Sequence, residues 1–98
     1  MINVKVHPLA LREYRRAVKW YRKRSILAAE RFEQYVHRAL EQIKAQPRMA
    51  IPFRKHYFWV KVKRYPFLIY YEHIDGDNWL VNAISHQHRR PGYWIRRS

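Results

Sequence analysis

The chain has no cysteine, two glycines and seven acidic residues in a length of 98. Without cysteine, neither a disulfide framework nor a thiolate metal site can form. With only Gly76 and Gly92, there is no glycine-rich phosphate loop. No apolar run approaches membrane-spanning length, and Met1-Ile2-Asn3-Val4-Lys5-Val6 contains no signal-peptide core. These absences predict a cytoplasmic protein that stays off the membrane. Internal repeats and low-complexity stretches are also missing, so residues 1–98 are expected to form a single domain. The apolar fraction of 48% lies in the globular range.

The scarcity of acid is the strongest signal. Lys and Arg number 21 against seven Asp and Glu, a formal charge of +14. Between Gln42 and Tyr71 stand Lys44, Arg48, Arg54, Lys55, Lys61, Lys63 and Arg64, with no carboxylate. From Trp79 to Ser98 there are four arginines and again no carboxylate. Self-repulsion on this scale opposes compaction, so a use for it is expected: holding a polyanion or an acidic partner.

Periodicity divides the chain. Ile2, Val4 and Val6 alternate with polar neighbours, as in a short half-buried strand. Pro8 then fits the first position of a helix. Tyr14, Ala17, Val18 and Tyr21 recur at helical spacing, and so do Ala28, Phe32, Val36, Ala39, Leu40 and Ile43. An uncapped helix of such length would be odd in a small domain. Ser25 can cap a second helix, and Pro47 stops it. The period then changes. Phe58, Val60 and Val62 alternate with Trp59, Lys61 and Lys63, predicting a strand with one wet face. Phe67 through Tyr71 is continuously apolar, as in a central strand, and Asp75-Gly76 is a hairpin signal before a last strand from Trp79. The predicted fold is α+β: an N-terminal strand, a helical hairpin, then an antiparallel meander of about three strands.

Three regions carry candidate chemistry. Arg12, Arg15, Arg16, Lys19, Arg22 and Lys23 form one stripe on the first helix, a surface suited to nucleic acid or an acidic protein as well as to plain solvent. Tyr57, Trp59, Lys61 and Lys63 interleave aromatics with cations, as a platform for unpaired bases would; alternatively, the two aromatics pack under the tail. The tail combines His86, His88, Arg89, Arg90 and Tyr93. RNA cleavage by 2′-hydroxyl attack needs a base, an acid and cations on the phosphorane, and no metal. His86 or His88 can serve as base or acid, Tyr93 as acid, and Arg89 with Lys61 as charge stabilisers. Two histidines without a third ligand are a poor metal site, so neither metal nor cofactor is expected.

Five segments, in this order, resemble the RelE/ParE superfamily of bacterial toxins from type II toxin–antitoxin modules. They are Ala17-Val18-Lys19-Trp20-Tyr21, Ala29-Glu30-Arg31-Phe32, Gln46-Pro47-Arg48, Arg64-Tyr65-Pro66-Phe67-Leu68-Ile69-Tyr70-Tyr71, and His86 through Trp94. The resemblance implies a helical hairpin on a curved antiparallel sheet and a cognate antitoxin whose acidic or amphipathic segment neutralises the toxin. It also implies one of two targets. RelE-like members cut mRNA on the ribosome, and Lys61, His86, Arg89 and Tyr93 would then be catalytic. ParE-like members poison DNA gyrase without such a set. Phe67, standing where many RNA-cleaving members carry an arginine, and the Pro-Gly-Tyr-Trp ending point to gyrase. The basic–aromatic sheet and histidine-bearing tail put the ribosome-dependent endoribonuclease first, with the gyrase inhibitor as the alternative. A further alternative is an inert basic adaptor for nucleic acid. In each case Arg12, Arg15, Arg16, Lys19, Arg22, Lys23, Trp59, Lys63, Arg64, His88 and Arg90 are the candidate binding residues.

Overall fold

Local sequence sets where each element begins and ends in the computed structural model, which describes residues 1–97. Strand β1 spans Asn3–Val6, helix α1 Pro8–Arg22 and helix α2 Ile26–Ala45. Strands β2 (Ile51–Phe53), β3 (Tyr57–Lys61), β4 (Phe67–Asp75) and β5 (Asn78–His86) follow. Pro8 opens α1, where its missing N–H costs nothing, and the His7 ring accepts the Leu9 N–H at 3.0 Å. At the other end Lys19 and Arg22 offset the negative pole of the helix dipole, and the Arg24 guanidinium donates to the Trp20 carbonyl at 2.9 Å. The break falls at Ser25, as predicted. Its backbone is extended and its hydroxyl accepts the Ala28 N–H at 3.1 Å.

The two helices pack on one face of the sheet. Ala10, Ala17 and Val18 of α1 meet Ala29, Phe32, Val36, Ala39 and Ile43 of α2 over Val60, Val62, Ile69, Tyr71 and Val81. Ala29 takes the deep position that periodicity assigned to Ala28, whose carbonyl instead accepts the Tyr65 hydroxyl at 2.8 Å. Phe32 lies 5.1–5.2 Å from the rings of Tyr21, Tyr65 and Phe67, tying both helices to the start of β4. Edge and tilted aromatic pairs of this kind add about 0.5–1.5 kcal/mol each beyond their burial.

The sheet order is β1-β5-β4-β3-β2, with β1 parallel to β5 and every other pair antiparallel. The meander has one strand more than expected: the short β2, containing Pro52, forms an edge. Proline suits that position because it cannot donate to a ladder. Gly76, at φ +43°, starts the two-residue hairpin turn between Asp75 and Asn78.

The wet face expected of β3 is wet only at its end: Lys61 and Lys63 are exposed, whereas Tyr57 and Trp59 are half-buried. The tail crosses this face and inserts Trp94, fully buried, with its ring centroid 4.5 Å from Tyr70 and 4.7 Å from Tyr57. Phe53, Trp59, Leu68, Tyr93 and Ile95 complete this second cluster. Alternation in β3 records only the helix-facing layer; the other cover comes from residues more than thirty positions later. Among the described residues no helix is long and apolar enough to cross a membrane.

Candidate functional site

Strand β5 is longer than its neighbour β1, and the mismatch creates the site. Pairing with β1 ends at Val81, leaving the β5 edge from Asn82 to His86 without a strand beside it. An open edge needs partners for its backbone groups. Glu13, the one acid on α1, supplies them. Its carboxylate, 11% exposed, accepts the Ile84 N–H at 3.1 Å. It also takes a forked pair of bonds from Arg97 at 3.0 and 3.3 Å, and the Tyr93 hydroxyl donates to it at 2.6 Å. Arg97 continues to the Asn82 carbonyl at 3.1 Å. Helix α1, the β5 edge and the tail are thereby held on one buried carboxylate.

The predicted catalytic residues do not share one place. Tyr93 is half-buried; its burial, reinforced by the Glu13 carboxylate it bonds, pushes the hydroxyl pKa up to about 12, while Ser85 and Arg89 oppose the rise. Arg89 stacks over the Tyr93 ring at 3.8 Å and approaches Glu13 at 3.5 Å. His86 is exposed at the end of β5, its ring edge-on to Phe67 at 5.4 Å and 5.2 Å from His88. Its Nδ1 accepts the His88 N–H at 3.1 Å. Lys61 lies elsewhere. Its ammonium donates to the carbonyls of Tyr65 and Val62 at 2.9 and 3.2 Å. The register pairs Lys61 with Leu68, in the tail-side cluster, and His86 with Phe67, on the helix side. Lys61 and His86 therefore occupy opposite faces of the sheet.

The predicted binding residues fall into four settings. All six cations of the α1 stripe, Arg12, Arg15, Arg16, Lys19, Arg22 and Lys23, are exposed, and Arg22 reaches Glu33 at 3.9 Å. Lys63 and Arg64 are exposed in the turn before β4, where Arg64 takes a positive φ of 67° and its guanidinium stands 5.8 Å from the Tyr35 ring. Trp59 is half-buried in the tail-side cluster and not laid open as a platform, whereas His88 and Arg90 are exposed beyond β5. Among the described residues no three of His, Asp and Glu are grouped so as to hold a metal ion.

Sequence reasoning passed over two features. Glu13 is the single acid of α1, and its separation of 80 residues from Tyr93 and 84 from Arg97 leaves no local pattern. The second is a cavity of about 410 Å³ between α1 and the adjacent ends of β4 and β5. Trp20 lines it and is 51% exposed, off the buried stripe of α1.

Comparison with known proteins agrees with this architecture. No individually curated protein matches the chain in sequence. A family model does, described as the ParE toxin of the type II toxin–antitoxin system parDE, and its match runs over residues 4–91. That span takes in both helices and every strand except the first residue of β1, together with the tail as far as Pro91. The chain belongs to the ParE toxin family of type II toxin–antitoxin systems, a membership that implies a cognate antitoxin as partner.

Proposed function

We propose that this toxin acts by binding DNA gyrase and that it does no chemistry of its own. One observation carries the reading: three of the four groups assigned to RNA cleavage, Tyr93, Arg89 and Lys61, are engaged in contacts within the fold. A general acid must release its proton to a leaving oxygen near neutral pH. The Tyr93 proton is directed at Glu13 and its pKa is pushed to about 12. Arg89 is drawn to the same carboxylate, and Lys61 is bonded into its own turn on the other face. Phe67, where a cation would clamp a phosphate, packs into the aromatic cluster beneath α2. What stays open is the six-cation stripe of α1, a docking surface for an anionic target.

One arrangement favours the ribosome-dependent endoribonuclease instead. His86 and His88 are exposed side by side next to Arg89, and two imidazoles can divide acid and base roles between them. Purified protein separates the readings. Gyrase inhibition predicts loss of supercoiling and trapped cleaved DNA, with mRNA on purified ribosomes left intact. Cut mRNA in the ribosomal A site, with supercoiling unaffected, would transfer the function to the nuclease reading. A protein inert in both assays would be the basic adaptor.

A further inference from the structure

A second basic surface lies on α2, apart from the α1 stripe. Arg31, Tyr35, Arg38 and Gln42 fall within about 60° of one another around this helix. Arg31, Arg38 and Gln42 are exposed, and Tyr35 is half-buried. The β3–β4 turn stands beside them, with the Tyr65 ring 6.2 Å from that of Tyr35. In that turn Arg64 takes a φ of 67°, a region an arginine enters only at a cost in backbone strain. Its guanidinium stands 5.8 Å from the Tyr35 ring, and that of Arg38 stands 5.1 Å from the same ring. Two guanidiniums from separate elements thus converge on one aromatic anchor. Among the described residues neither of them, nor Arg31, forms an ion pair. The α2 carboxylates lie to the sides. Glu33 is held by Tyr14 and Arg22, and Glu41 faces His37 at 3.9 Å. Glu30 stands about 100° around the helix from Arg31, and Glu41 about 60° from Arg38.

We infer that Arg31, Arg38 and Arg64 form a docking surface for duplex DNA, held by its phosphates. Chemistry selects the occupant. A protein segment would need an apolar centre to its interface. Between Ala28 and Arg48 no large apolar side chain is exposed. A single strand would need an open aromatic face for its bases. Tyr35 is instead flanked by two guanidiniums and by Tyr65. A duplex asks only for cations, and the arginine fork matches a phosphate. The choice of DNA over duplex RNA rests on the gyrase reading, because that target works on a DNA duplex.

The test is fluorescence anisotropy of a labelled DNA duplex of about 20 base pairs, titrated with the intact protein between about 50 and 200 mM salt, with no gyrase present. Each phosphate contact contributes about 0.9 to the slope of log affinity on log salt. Arg31→Gln with Arg38→Gln should therefore lower the slope by about 1.8, and Arg64→Asn by about 0.9. Asparagine tolerates the same positive φ, so the Arg64→Asn protein should melt no lower than the parent while binding DNA less tightly. Arg15→Gln with Lys19→Gln removes equal charge from α1 and should lower the slope by less than one contact. An α1 pair that lowers it as far as the α2 pair, or an α2 pair that leaves it unchanged, would overturn the inference. So would tighter binding of the same sequence as duplex RNA. Polyglutamate displacing the label better than unlabelled duplex of equal charge would make this a surface for acidic protein and overturn it too. With gyrase absent, failure here leaves the supercoiling result untouched, and the reverse.

Discussion

Replacing Glu13 by alanine removes, in one step, the acceptor of the Ile84 N–H, the Tyr93 hydroxyl and the Arg97 guanidinium. Both charged partners are well buried, with side chains 11% and 15% exposed for Glu13 and Arg97. Breaking a buried pair by deleting one member costs about 3–5 kcal/mol, because the other charge is stranded. Slight exposure of both places Glu13→Ala near the lower figure, about 3 kcal/mol. At roughly 4 °C per kcal/mol for a domain of this size, Tm should fall by about 12 °C. Urea unfolding followed by far-UV circular dichroism should show a lower midpoint with an unchanged slope. Glu13→Gln keeps an oxygen acceptor but loses the charge, and should fall between the two. Tyr93→Phe should cost much less in the Glu13→Ala background than alone, since the two share one bond. A Glu13→Ala protein within about 2 °C of the parent, the range of a surface substitution, would refute the clamp.

Three further outcomes follow from the same structure. The Tyr93 and Tyr71 hydroxyls are both raised to about 12 by burial, so their neutral forms favour the folded state. That stability is fully present below the unfolded value of about 10 and is lost as pH rises from there through about 12; ultraviolet titration of the phenolates with parallel melting checks it. Ser25→Ala removes the cap of α2 and should cost about 1 kcal/mol in urea unfolding, which Ser25→Asp should restore. Trp94→Ala empties the centre of the tail-side cluster and should cost about 3–5 kcal/mol, read as a lower midpoint in the same experiment.

Most of the architecture was legible because it is written locally. Ser25 marks the start of α2 by a hydrogen bond to a residue three positions on, Pro8 and Pro47 mark helix ends by having no N–H to give, and Asp75-Gly76 marks its turn by its own local geometry. Two things were not settled by local pattern, for a shared reason: whether the tail covers Tyr57 and Trp59, which stood as one of two alternatives, and what Glu13 binds, which was not foreseen. The cover over Tyr57 and Trp59 comes from Trp94, and the partner of Glu13 comes from Tyr93 and Arg97, both far along the chain. Long-range pairs leave no period to read. Strand β2 was missed because three residues with a central proline carry no alternation. The candidate catalytic set was chosen by residue type in a basic tail, and residue type does not reveal which face of a sheet a side chain meets. Lys61 and His86 lie at the same end of the sheet but on opposite faces.

The central claim is that toxicity comes from binding and not from cleavage. It is tested most directly by inducing the protein with His86→Ala and His88→Ala together, both exposed and outside the Glu13 clamp, against the parent. The account predicts undiminished growth arrest with cleaved DNA and an SOS response in both strains. Loss of arrest in a variant that keeps its circular dichroism and melting temperature, with A-site mRNA breaks in the parent alone, would contradict it.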